Sequence, residues 1–287
     1  MRGDRIFLEV KTQQAYISHI RRSAYFAMAS VHAHAEWELY FLLAGERRYF
    51  IRDHVLPVSA GDLILVPAGE IHKSLPVGDA PHERISVEFR REFLPPGFEA
   101  SGAFRLEPLF EGGFRLKLEE RDRARVRSEL FRLLDIVRDA KTGWEYAAGI
   151  ILSGLLLHLA SVRQAAGESE RASLPQPEWF PALLGHIEAH ATEPLSLTDA
   201  AAAVYLHPSY LSRAFRRITG MTFLDYLSNL RVREARKLLQ TSDLPLPAIA
   251  ERCGFSDSTQ FGRVFRRVTG QTPGKYRRLS GGGQQGA

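Results

Sequence analysis

Hydrophobic positions along this chain change their period from one stretch to the next, and the changes divide it. From Ala24 to about Phe93 they fall in short β-rich runs, "WELYFLLAG", "RRYFIRD", "GDLILVPAG" and "RISVEFR", separated by Gly, Pro and Asp. Several short strands at close spacing predict a barrel or sandwich. The first twenty residues read as a mixed lead-in with no single period. Around Leu118 the period lengthens. Val126, Leu130, Leu133, Leu134 and Val137, then Ile150, Leu155, Leu159 and Val162, recur at threes and fours. That predicts helices over 119–140 and 144–165, joined by "KTGW". The polar segment "AAGESERASLPQPEW" (Ala165–Trp179) carries two prolines and reads as a linker. Helical periods then run to about residue 280, and "SGGGQQGA" reads as a disordered end. The fold class is α+β in two domains, an N-terminal barrel (1–118) with flanking helices (119–165) and an all-α domain (179–280) after the linker (166–178).

The helical part contains a repeat. Residues 207–227 and 257–277 align at an offset of 50 with eight of 21 positions identical, among them Arg213/Arg263, Phe215/Phe265 and Gly220/Gly270. Each copy has the grammar of a helix-turn-helix. In the first, Ser196 or Thr198 caps a short Ala-rich helix, "YLHP" turns, and Pro208 opens a second helix that Gly220 stops. In the second, Gly254 supplies the turn and Ser256 or Asp257 caps "STQFGRVFRRVT". Within the second helices Leu211, Phe215 and Ile218, or Phe261, Phe265 and Val268, share one face and should be core. The opposite faces carry Ser209, Ser212, Arg213 and Arg216, or Thr259, Gly262, Arg263 and Arg266, and Arg217, Ser258 and Arg267 are counted with them as candidate DNA-binding residues. Arginines on a helix face are most often merely solvated. Two copies with small polar residues between the arginines suit a major groove, where arginine bonds guanine bidentately. Residues 222–240 read as one helix of about 28 Å, near the roughly 34 Å of a duplex turn, so both readers could enter successive grooves.

Charge sharpens this picture. The first 174 residues hold 24 Lys and Arg against 24 Asp and Glu, whereas residues 175–287 hold 14 against nine, so the whole excess of +5 sits in the helical half. Such asymmetry suits a nucleic-acid-facing half joined to a neutral partner. One cysteine in 287 residues allows no intramolecular disulfide, which fits a reducing cytoplasm. Cys253 lies in an apolar helix and reads as a buried thiol. The N-terminus lacks a secretory apolar core, and the most hydrophobic run, Ala147–Val162, is short and broken by Ser153 and His158, so no membrane partner is expected.

Residues 179–280, through "YLSRAFRRITG", "RVREARKLL" and "IAERCGFSDSTQFGRVFRRVTGQTPGKYRR", resemble the DNA-binding domain of the AraC/XylS family of bacterial transcription regulators. The resemblance covers about a third of the chain. It implies base-facing positions at Ser209, Ser212 and Arg213 and at Ser258, Thr259, Gly262 and Arg263. Two departures stand out: His207 replaces the usual serine cap, and Gly262 has no side chain with which to read a base.

In the N-terminal half His32-x-His34-x3-Glu38-x6-Gly45 and Gly61-x5-Pro67-x-Gly69-x2-His72 match the two cupin motifs, lacking the second's final asparagine. Cupins are small β-barrels, and in this regulator family such a barrel usually senses the effector, often a sugar. Alternation alone places His32, His34 and Glu38 on one face of a strand. With His72 they would supply a first shell for a divalent transition metal, or line a polar pocket that binds effector through hydrogen bonds. The acid Glu36 shares their parity. Together these features imply a cytoplasmic, ligand-responsive regulator that dimerises through the helices at 119–165, binds promoter duplex DNA and has no catalytic residues. The alternative is a metal-dependent cupin oxygenase or isomerase fused to a DNA-binding domain.

Overall fold

The computed structural model describes residues 4–23, 34–100, 102, 104–111, 114–116, 118–166 and 173–280. The tail 281–287 and part of the linker lie outside the described residues. Nine strands come first: β1 (Arg5–Lys11), β2 (Ala15–Arg22), β3 (Trp37–Ala44), β4 (Glu46–Ile51), β5 (His54–Ser59), β6 (Leu63–Val66), β7 (His72–Pro76), β8 (His82–Phe89) and, after the short helix α1 (Leu106–Glu111), β9 (Arg115–Leu116). They form a six-stranded sheet in the order β1-β2-β8-β3-β6-β9 and a three-stranded sheet in the order β5-β4-β7. The lead-in expected to be irregular is a hairpin, β1 against β2, and β2 pairs along its length with β8 from Ala15↔Phe89 to Arg22↔His82. Local sequence is silent here because the pairing that fixes the segment lies some seventy residues away in the chain, and strand propensity is weak without its partner.

Alternation along the strands separates two cores. Leu39 and Phe41 of β3, Leu63 and Leu65 of β6 and Ile85, Val87 and Phe89 of β8 face outward onto helices α2 (Glu120–Asp139) and α3 (Trp144–Ala166). Val126, Leu130, Leu133 and Leu134 of α2 and Leu152, Leu155, Leu156 and Leu159 of α3 complete that layer. By length and composition α3 could cross a bilayer, with a mean hydropathy of 1.5 over Trp144–Ala165. The hydrophobic run therefore extends beyond Ala147–Val162, and its apolarity is that of a helix with one face in the core. The opposite strand parity points between the sheets, where Tyr40, Leu42, Tyr49, Ile51, Ile64 and Val66 pack together.

The C-terminal part is α4 (Trp179–Ala189), α5 (Leu197–Ala203), α6 (Pro208–Thr219), α7 (Phe223–Thr241), α8 (Leu246–Arg252), α9 (Ser258–Thr269) and α10 (Pro273–Ser280). The long helix α7 buries Phe223, Leu227, Leu230 and, at its far end, Leu239, with Leu238 half-buried. Cys253 is buried, which pushes its thiol up to about 11.

The two halves share a core. Phe50 and Val55, on the outer face of the smaller sheet, and Ile71 just before β7 pack with Phe180, Leu183, Leu211, Phe215 and Tyr226 of the helical part. Ser173 and Leu174, on the expected linker, are bonded to the barrel: the Leu174 amide donates to the Val55 carbonyl at 2.7 Å and the Val55 amide to Ser173 Oγ at 3.1 Å. The end of the expected linker is thus an edge contact of the barrel.

Candidate functional site

Both helix-turn-helix units form from the residues that signal them. Ser196 caps α5 in a capping box with Asp199, and the His207 imidazole accepts from the Ser209 amide at 3.3 Å, doing for α6 the work of the usual serine. Asp257 caps α9 by accepting from the Gln260 amide at 2.7 Å. The turn residue is left-handed in both copies, Tyr205 with φ 56° and Gly254 with φ 77°. Helices α6 and α9 each span 12 residues and end on Gly220 and Gly270 with φ 72° and 73°. Leu211, Phe215 and Ile218 are buried, as are Phe261 and Phe265, while Val268 is half-buried. Ser209, Ser212, Arg213, Arg216 and Arg217 are exposed on α6, and Ser258, Thr259, Arg263, Arg266 and Arg267 on α9. Gly262 is half-buried, yet nothing lies within 4 Å of where its Cβ would be. Arg267 also reaches Asp225 at the start of α7, at 3.7 Å.

The barrel holds the second cluster. Glu38 lies on β3 and His72 opens β7, both buried between the sheets. His34 is not on the strand, as alternation had suggested. It sits before a bend at Ala35–Glu36, and its carbonyl accepts from the Gly69 amide at 2.7 Å, which draws it to the loop leading to His72. His32 lies outside the described residues. The ligand atoms of His34, Glu38 and His72 lie within 4.8 Å of one another. Glu38 Oε2 is 3.1 Å from His72 Nε2 and 3.4 Å from His34 Nε2. Each imidazole is held from behind, His34 Nδ1 by the Glu36 carbonyl and His72 Nδ1 by the Glu70 carbonyl, both at 2.9 Å. Those bonds place the ring proton on Nδ1 and aim both Nε2 atoms inward, as backbone carbonyls orient metal-ligating histidines. Glu38 Oε1 accepts from Ser86 Oγ at 2.8 Å, leaving Oε2 directed into the cluster.

His34 Nε2, Glu38 Oε2, His72 Nε2 and the nearby Tyr49 hydroxyl are buried without an aligned hydrogen-bond partner. Such orphan atoms are costly unless something binds them. Glu88 on β8, which no motif pointed to, brings its Oε2 to 3.9 Å from His34 Nε2. Its only signal in the sequence is that "RISVEF" alternates Ser86 and Glu88 with apolar neighbours, which a solvent-facing strand would do equally. Glu36, the ambiguous acid, is engaged by Arg90 at 2.7 Å and lies on the Nδ1 side of His34, 3.8 Å from that atom. Burial pushes the His34 ring down, but contact with Glu38 and the charges of Glu88, Glu38 and Glu36 outweigh it and raise the ring to about 9. Burial raises Glu38 too, and the two imidazoles more than reverse this, holding its carboxyl well below the usual range. Glu88 is raised, mainly by burial. Two imidazole nitrogens with one or two carboxylates are a donor set that suits zinc and its first-row neighbours.

Residues 16–160 match the model of the AraC-like ligand binding domain, and residues 200–279 match a helix-turn-helix domain. Among curated proteins the chain is similar to the uncharacterised HTH-type transcriptional regulator YijO of Escherichia coli (strain K12), 29% identical over 222 residues, covering 76% of this chain and 73% of YijO. It is similar to the HTH-type transcriptional regulator GlxA of Rhizobium meliloti (strain 1021), 38% identical over 144 residues, covering 49% of this chain and 44% of GlxA. It is also similar to the HTH-type transcriptional activator RhaR of Escherichia coli (strain K12), 26% identical over 256 residues, covering 87% of each.

Proposed function

The chain belongs to the AraC family of transcription regulators, and from that premise we propose that occupancy of its barrel pocket by a small effector sets how α6 and α9 engage promoter DNA. It joins an AraC-like ligand-binding domain to a DNA-binding helix-turn-helix domain. In our reading Ser209, Ser212, Arg213 and Arg216 of α6 and Ser258, Thr259, Arg263 and Arg266 of α9 face the groove, and Arg217 and Arg267 take phosphates at its edge. The observation that carries this is the repeat itself: two capped helices of equal length, each burying its apolar face and leaving its arginines exposed.

The pocket is read as a sensor rather than a catalytic centre. His34, Glu38 and His72, with Glu88 beside them, are its binding groups, and a divalent transition metal would be held by the same nitrogens and carboxylates. When bound, such an ion would supply a Lewis-acidic centre for an effector's oxygens. The second copy needed for paired promoter sites would dock on α3, whose outward face shows Tyr146, Ile150 and Leu157 around Gly154.

Selection of duplexes from a random pool tests the proposal. Wild-type protein should enrich one motif, and Arg213→Ala should weaken binding to it by about 1–3 kcal/mol while hardly changing affinity for random DNA. An equal loss on both would reduce Arg213 to a phosphate contact, and enrichment of no motif would sink the reading.

A further inference from the structure

Strand β7 has a different partner on each face. Its inward residues are His72, whose Nε2 belongs to the orphan cluster, and Ser74, whose Oγ accepts from Arg47 at 2.9 Å. Its outward residues, Lys73 and Leu75, land on the end of the first reading helix. Lys73 Nζ donates to the Gly220 carbonyl at 2.6 Å, and a Cβ on Gly220 would sit 2.2 Å from Leu75 Cδ2 and 3.2 Å from Lys73 Cδ. From the neighbouring strand β4, Arg48, in register with Leu75, directs an NH2 to the Arg217 carbonyl at 3.4 Å. Two barrel cations thus meet the carbonyls at the C-terminus of α6, where the helix dipole favours positive charge. The left-handed φ of Gly220 favours glycine, and a Cβ there would also have to push the Leu75 side chain aside. Gly270, its counterpart at the end of α9, has the same φ and nothing within 4 Å. The barrel therefore bonds one copy of the repeat directly at its C-cap, whereas at the end of the other His34, Glu36 and Arg90 only line a small pocket with Val268, Thr269 and Gln271.

The loop before β7 makes a second tie. Glu70, whose carbonyl orients the His72 ring, carries a side chain paired with Arg52 at 2.7 Å and lying 3.8 Å from Arg233 of α7, the helix that joins the two reading units. Neither tie uses the side chain of an exposed arginine of α6; Arg217 takes part only through its backbone carbonyl.

We propose that β7 is the relay between the pocket and the DNA-reading domain: a molecule drawn to His72 shifts the strand, and Lys73 and Leu75 carry that shift to the C-cap of α6. The proposal rests on reading the pocket as the effector site. The relay works because a strand's alternate side chains move together. His72 and Lys73 are adjacent on one backbone, so a displacement that re-aims the ring moves the ammonium on the other side of the sheet.

Hydrogen exchange on the full-length protein tests it without knowledge of the effector. The amides of Gly220 and Met221 are held by the Arg216 carbonyl and by Thr219 Oγ1. In both His72→Gln and Lys73→Met their exchange should rise about threefold or more, and the double variant should add little to either. The Gly270 amide should not change in any of them. Thermal melts confirm that each variant is folded, and Glu38→Gln replaces His72→Gln if that protein is not. Acceleration in Lys73→Met alone would leave the clamp but remove its link to the pocket, and no acceleration in Lys73→Met would overturn the clamp itself. Titration with zinc alone and a thermal-shift panel of metabolites test the effector reading separately: exchange coupling without any ligand-induced shift would keep the relay and discard that reading.

Discussion

At the scale of residues, the barrel cluster stores a titration. His34 is raised from its usual 6.5 to about 9 by the carboxylates it faces, against the opposing effect of burial. A group raised in the folded state stabilises fully below its unfolded value and loses that contribution as pH climbs through the folded one. Glu38 is depressed, so its contribution holds above the normal carboxylate range and fades only as pH falls below it. The metal-free protein should therefore lose melting temperature between about pH 6.5 and 9, and Glu38→Gln should flatten that slope; a wild-type profile already flat across the window would show that the cluster carries no such charge. Gly262 invites a second test. It lies inside α9 with open space at its Cβ position, so Gly262→Ala should stabilise the protein by about 0.5–1 kcal/mol, read by chemical denaturation. Which faces of α6 and α9 stay exposed was legible residue by residue because a helix's contacts are local and the repeat displayed them twice. His34, Glu38 and His72 were legible from spacing, but Glu88 was not, since its place beside His34 follows from the β3–β8 register across fifty residues of chain.

At the scale of elements, legibility followed the range of the interactions. Helices α2 and α3 form as Glu120–Asp139 and Trp144–Ala166 where their periods predicted 119–140 and 144–165. The β1–β2 hairpin was missed for want of a local signal, and His34 slid off the strand that alternation assigned it because its carbonyl is committed to Gly69. Helix α3 also presents a testable surplus. Leu152, Leu155, Leu156 and Leu159 already satisfy the barrel, yet Tyr146, Ile150 and Leu157 remain about half exposed along another face. If a second copy covers them, Ile150→Glu with Leu157→Glu should convert a dimer to a monomer in sedimentation without lowering the melting point. A wild-type chain that is monomeric at tens of micromolar would remove α3 from this role.

At the scale of the whole molecule, the sequence suggested two domains separated by a polar tether, and the structure joins them through one core. Phe50 of the barrel meets Phe180 and Tyr226 with ring centroids 6.4 and 6.2 Å apart. Truncation of a buried phenylalanine costs about 3–5 kcal/mol. Phe50→Ala should therefore split one calorimetric transition into two, as the barrel and helical parts lose their shared layer; a variant that still melts in one step at a lower temperature would place the cooperativity elsewhere. The linker hid this because its polarity and prolines describe its solvent side, while the Leu174–Val55 hydrogen bond that docks it uses only backbone atoms.

That backbone hydrogen bond has a consequence for what a switch would need. With Leu174 fixed to Val55, the helical part searches for the barrel from a start already beside it, and a short tether of this kind corresponds to an effective concentration in the millimolar range. At that concentration the shared Phe50 layer holds the two halves closed. Each tenfold preference of a ligand for another arrangement offsets about 1.4 kcal/mol of that layer, so a switch is set by an effector's selectivity between arrangements and not by how tightly it binds.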